Sequence, residues 1–125
     1  MMELLDIDLT EIDAGHVVFV ATPGVSHFNP LGIVHGGFAA TMLDSACGLA
    51  ASSATEVPMS CVTLEIKISY HAALTAQTGP VRAIGRLVSL GRRVAFTEAR
   101  LVDVNERLYA SATSTLLVSE RRRAS

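Results

Sequence analysis

Gly36-Gly37-Phe38-Ala39-Ala40-Thr41-Met42-Leu43-Asp44-Ser45-Ala46-Cys47-Gly48-Leu49-Ala50-Ala51 is the stretch on which the fold turns. It has the length and periodicity of a buried helix, running from about Gly36 to Ala54. Its residues are small or apolar, and Asp44 is the only charged side chain between His35 and Glu56. An ionised carboxylate in such a setting is costly unless something holds it. Asp44 sits two turns inside the helix, too deep to cap the N-terminus. It is therefore either a structural anchor bonded to backbone or Arg, or a working acid. The mid-run acid and the missing basic flank place the helix in a protein interior rather than a membrane.

Around this helix the sequence reads as strands. Residues 3–12 form a first strand, and Asp13-Ala14-Gly15 signals a turn. His16 to Thr22 forms a second, stopped by Pro23-Gly24. After Pro58 the period changes to two. Val62, Leu64, Ile66, Ile68 and Tyr70 alternate with Thr63, Glu65, Lys67, Ser69 and His71, as in a half-buried strand. Three more strands are expected over Val81–Leu90, Arg93–Val104 and Leu108–Val118, with breaks at Thr78-Gly79-Pro80, Gly91 and Asn105-Glu106. Short connections between consecutive strands favour an antiparallel meander. The order is β-β-α-β-β-β-β, an α+β chain in which one sheet can curl around one helix that needs burial on every side. Residues 1–125 form a single domain, with 119–125 as a solvated basic tail.

Bulk properties narrow the function. Half the residues are hydrophobic and mean hydropathy is +0.41, so a small monomer would struggle to cover its apolar surface and self-association is expected. A net charge of −2 offers no footprint for nucleic acid or a membrane surface. Cys47 and Cys61 lack metal or redox spacing and read as reduced thiols of a cytoplasmic protein. No signal peptide is visible.

Gly36-Gly37 is either a plain tight turn at a helix start or a place where a ligand approaches backbone N–H groups. A helix N-terminus suits an oxygen that becomes negative in a transition state. His35 and Asn29 lie in the approach to it, as turn formers or as ligand contacts. His16, His27 and His71 have no metal-ligand spacing. Gly91-Arg92-Arg93, at a strand-to-strand turn, is a solvated hairpin tip or a phosphate grip.

Asn29-x-x-Gly32-x-x-His35-Gly36-Gly37 followed by Asp44 resembles the hotdog-fold acyl-CoA thioesterases, most closely the phenylacetate-degradation (PaaI-like) type. In that fold an antiparallel sheet wraps a long central helix, in the order read above. The resemblance implies hydrolysis of an acyl- or aryl-CoA thioester to a carboxylate and CoA. By the same resemblance Gly36 N–H polarises the thioester carbonyl and Asp44 is the nucleophile or general base. Asn29 and His35 position the pieces, Thr63 matches the family's strand Ser/Thr, and Gly91, Arg92 and Arg93 contact CoA phosphates. It further implies a homodimer or homotetramer with sites shared between subunits, and no cofactor or metal beyond the CoA of the substrate. A hotdog enoyl-CoA hydratase or dehydratase, and a non-catalytic acyl-CoA-binding protein, are the other functions this scaffold would carry.

Overall fold

The computed structural model describes residues 7–24, 36–55, 59–75 and 77–120. Along them run β1 (Asp8–Asp13), β2 (His16–Ala21), α1 (Gly36–Ser53), β3 (Met59–Tyr70), β4 (Val81–Leu90), β5 (Val94–Asp103) and β6 (Leu108–Glu120). This is the expected order. The strands form one six-stranded sheet, β1-β2-β4-β5-β6-β3, with every neighbouring pair antiparallel. β3 starts earlier than its sequence pattern suggests, and β6 ends later. Met59 pairs with Glu120 and Ser60 with Ser119, so residues 119 and 120 belong to a strand rather than to the start of a tail.

The helix touches β2, β3, β4, β5 and β6. Five strands at ~4.8 Å spacing span about 19 Å, wider than a helix of ~10 Å diameter, so the sheet must curve around it. Phe38, Ala39, Met42, Leu43, Ala46, Cys47, Ala50 and Ala51 form the buried stripe of α1. They pack on Val17, Val81, Ala83, Leu101 and Leu116. The stripe is rich in alanine because the backbones come close. A Cβ added at Gly85 of β4 would lie 2.3 Å from the Ala46 carbonyl oxygen, so only glycine fits between that strand and the helix.

Two expectations are corrected here. The sheet covers only one side of α1 in the single chain, and Asp44 lies on the exposed side rather than buried all round. Nor does β3 keep one alternation throughout, because its register with β6 shifts between Thr63 and Glu65. That bulge adds one residue and reverses the faces. Cys61 and Thr63 therefore share the helix-facing side with Ile66 and Ile68, while Val62 and Leu64 are 54% and 57% exposed. β3 is also an edge strand, twelve residues long, with one side unpaired within the sheet.

The β5–β6 connection is pinned by Asp103. Its carboxylate accepts from the backbone N–H groups of Asn105 and Arg107 and from the Tyr109 hydroxyl. The Arg107 N–H, foremost among these bonds, holds the Asp103 carboxyl below its ordinary value.

Candidate active site

Gly36 is the first residue of α1, so the helix opens at the Gly-Gly pair as expected. Neither glycine carries a side chain to screen the first-turn N–H groups, and both residues are exposed. The macrodipole makes this end of the helix partly positive. Two turns further on, the Asp44 carboxylate accepts a 2.8 Å hydrogen bond from the Thr63 hydroxyl. The bulge in β3 makes that bond possible, since unbroken alternation would turn Thr63 away from Ile66 and Ile68. Ala40, Thr41, Asp44, Ser45, Thr63, Ile66 and Ile68 line an open cleft of about 460 Å³. An acid fixed on one oxygen by a hydroxyl keeps its other oxygen available to a water or an electrophile.

The structure thus brings Asp44 and Thr63 together, but it does not bring Asp44 to Gly36. They lie eight helical steps apart, about 12 Å of rise. One carbonyl group cannot touch both within a single chain. Asn29 and His35 lie outside the described residues.

Gly91, Arg92 and Arg93 form the β4–β5 hairpin tip, and all three are exposed. The Gly91 N–H donates to the Val94 carbonyl and the Arg93 carbonyl accepts from the Val118 N–H. Val94 pairs with Leu117, which pairs with Val62. Arg93, bonded through Val118, is therefore level with Cys61, two rows from Thr63 along the strands and about 10 Å across them. Neither arginine forms an ion pair among the described residues.

A second cavity, of about 360 Å³, opens beside Gly36. Ala39, Leu74, Leu101, Tyr109 and Ala110 give it an apolar wall, with Tyr70 and His71 at its edge. Tyr70 also donates a 2.9 Å hydrogen bond to the Gly36 carbonyl. Sequence reading treated Tyr70 only as the last apolar residue of a strand. The available signal was an aromatic with a polar tip at a strand end, but its partner lies 34 residues away in sequence.

The remaining reactive groups are quiet. Burial, above all, pushes the Cys47 thiol up; the neighbouring Thr97 hydroxyl opposes this, and the charges of Asp44 and Glu98 add to it. Burial also raises the Cys61 thiol. Neutral thiols are poor nucleophiles. Among the described residues no group of three His, Cys, Asp or Glu side chains is placed to hold a metal, and no helix is long and apolar enough to cross a membrane.

Comparison with known proteins identifies the family of this fold. Residues 31–110 match the thioesterase superfamily. The 1,4-dihydroxy-2-naphthoyl-CoA hydrolase of Listeria monocytogenes is 23% identical over 123 residues, covering 98% of each chain. Among solved structures, a hypothetical thioesterase from Streptococcus pneumoniae with coenzyme A superposes at a TM-score of 0.84. It is 26% identical, over 94% of this chain and 91% of that one. A variant of the phenylacetic acid degradation protein PaaI from Thermus thermophilus superposes at 0.83, 29% identical over 93% and 96% of the two chains. The helix-wrapping sheet seen here is the hotdog fold of these thioesterases, and the chain belongs to the thioesterase superfamily as a PaaI-like thioester hydrolase.

Proposed function

We propose that this hydrolase cleaves an acyl-CoA thioester at a site completed by a second copy of the chain. The observation that carries this reading is the Asp44–Thr63 pair, held in an open cleft on the uncovered side of α1. Its ~12 Å distance from Gly36 leaves each protomer with half of the machinery at each end. A long unpaired edge such as β3 invites pairing with another strand. Docking two β3 edges would set Asp44 of one protomer toward Gly36 of the other. A dimer is then the smallest working unit, and a tetramer would be two of them.

In this scheme the Gly36 N–H, backed by the helix dipole, donates a hydrogen bond to the thioester oxygen as negative charge grows on it. Asp44 takes a proton from water as the water oxygen bonds to the carbonyl carbon. The C–S bond then breaks, and the departing CoA thiolate recovers the proton. Direct attack by Asp44 through an anhydride uses the same contacts, with water cleaving the anhydride afterwards. Thr63 holds the carboxylate in either route, and Asn29 and His35 position substrate or water. Arg92 and Arg93 suit the phosphates of CoA, with Gly91 leaving room for their approach. The apolar cavity beside Gly36 suits the acyl group. The Streptococcus pneumoniae structure with coenzyme A supports CoA as the thiol carrier.

The test is thiol release over a panel of aryl, short, medium and long acyl-CoAs. The reading expects free CoA and carboxylate in equal amounts from at least one of them. No release from any member, or hydration of crotonyl-CoA without thiol release, refutes it.

A further inference from the structure

Tyr70 stands where the sheet meets the start of the helix, and the reaction scheme has not used it. Its hydroxyl donates to the Gly36 carbonyl at 2.9 Å. Its ring lies against the same residue, since a Cβ built on Gly36 would meet the Tyr70 Oη at 3.4 Å, Cζ at 3.6 Å and Cε1 at 3.8 Å. Tyr70 is 56% exposed, so core packing does not explain a large aromatic there. What the side chain does specifically is hold one backbone carbonyl.

That carbonyl matters because of where it lies. It belongs to the peptide between Gly36 and Gly37, which is joined through the Gly36 Cα to the preceding peptide, whose Gly36 N–H the scheme aims at the oxyanion; fixing the one limits the swing of the other. First-turn N–H groups have no intrahelical partners, and two successive glycines leave their backbone more freedom than any other pair. A donor stabilises a transition state only when its direction is set beforehand. We propose that Tyr70 is a positioning residue for the oxyanion donor, clamping the Gly36–Gly37 peptide from the end of β3. The inference rests on the proposed role of Gly36. It also gives β3 two tasks, because the bulge that turns Thr63 toward Asp44 lies on the strand that ends at Tyr70.

The test compares Tyr70→Phe with Tyr70→Leu in the full oligomeric protein, on the best thioester of the panel. Phe keeps the ring and deletes only the hydroxyl. Removing an oxyanion donor outright costs about 10²–10³ in rate, so loosening one should cost less, about 5–50-fold in kcat. KM should stay within about threefold and the melting temperature should hold, as expected when a lost contact acts in the transition state alone. Tyr70→Leu should lose a similar factor. In Tyr70→Phe the backbone 15N resonance of Gly37 should also move, because its peptide has lost a hydrogen bond. Wild-type kcat in Tyr70→Phe overturns the proposal. So does a loss confined to KM, or a pattern in which Phe is normal and Leu is impaired, which is the signature of ring packing. If wild-type protein releases no thiol from any panel member, the proposed reaction falls and takes this role with it. Normal wild-type turnover with an unaffected Tyr70→Phe removes this role alone.

Discussion

Gly85→Ala perturbs the closest approach between helix and sheet. The new methyl would stand 2.3 Å from the Ala46 carbonyl oxygen, 2.6 Å from its carbonyl carbon and 3.0 Å from its Cβ. Ordinary contact to that oxygen needs roughly 1 Å more, and the obstacle is helix backbone, which no rotamer change can move. Overpacking of this kind costs about 1–3 kcal/mol, and a backbone obstacle belongs at the upper end. Replacing glycine returns about 0.4–1 kcal/mol through the unfolded chain. A net loss of about 2 kcal/mol follows, or about 6–10 °C in melting temperature for a chain of this size. Thermal unfolding at fixed protomer concentration measures it, since self-association would otherwise move the midpoint. Adding Ala46→Gly removes the 3.0 Å contact but leaves the carbonyl in place, so the double variant should recover little. A Gly85→Ala protein melting within about 2 °C of wild type would refute the claim that this glycine sets the helix–sheet distance.

Thr63→Val should lower kcat roughly 10–150-fold, the scale of one charge-assisted hydrogen bond. Thr63→Ser, which keeps the hydroxyl, should restore most of it, and steady-state kinetics showing Val equal to wild type would remove Thr63 from the site. Asp103 gives a pH prediction. Its folded carboxyl lies below the ordinary 3.8, so the unfolded chain takes up a proton first as pH falls. The stabilisation is complete above that value and is lost as pH drops through the lower folded one. Urea midpoints measured from pH 5 down should therefore fall less steeply in Asp103→Asn than in wild type, and parallel curves would contradict this.

The helix was legible because fifteen small or apolar residues with one acid have few other places to go. The positions of the strands along the chain were legible because the breaks at Gly15, Pro80, Gly91 and Asn105 are turn chemistry, but the simple meander was not borne out, since β3 pairs with β6 rather than with β4. Asp44 was found by its solvation cost, although it is exposed in the single chain. The same oddity of an acid among alanines marks a helix side that its own sheet does not cover. The bulge in β3 could not be read, because nothing in Val62-Thr63-Leu64-Glu65 distinguishes it from a regular alternating strand. The register is set by pairing with β6, fifty residues away. Tyr70 was missed because its partner, the Gly36 carbonyl, lies 34 residues away in sequence. Gly85 looked like an ordinary strand residue, and its constraint comes wholly from the Ala46 backbone.

In the proposed reaction the Asp44 carboxylate drives thioester hydrolysis. Asp44→Asn keeps the side-chain shape and removes the charge, with Thr63 still able to donate to the amide oxygen. Measured by thiol release on the best acyl-CoA, with folding and oligomeric state matched to wild type, kcat should fall by about 10²–10⁴. Turnover within about threefold of wild type, far less than loss of a general base costs, would contradict the claim.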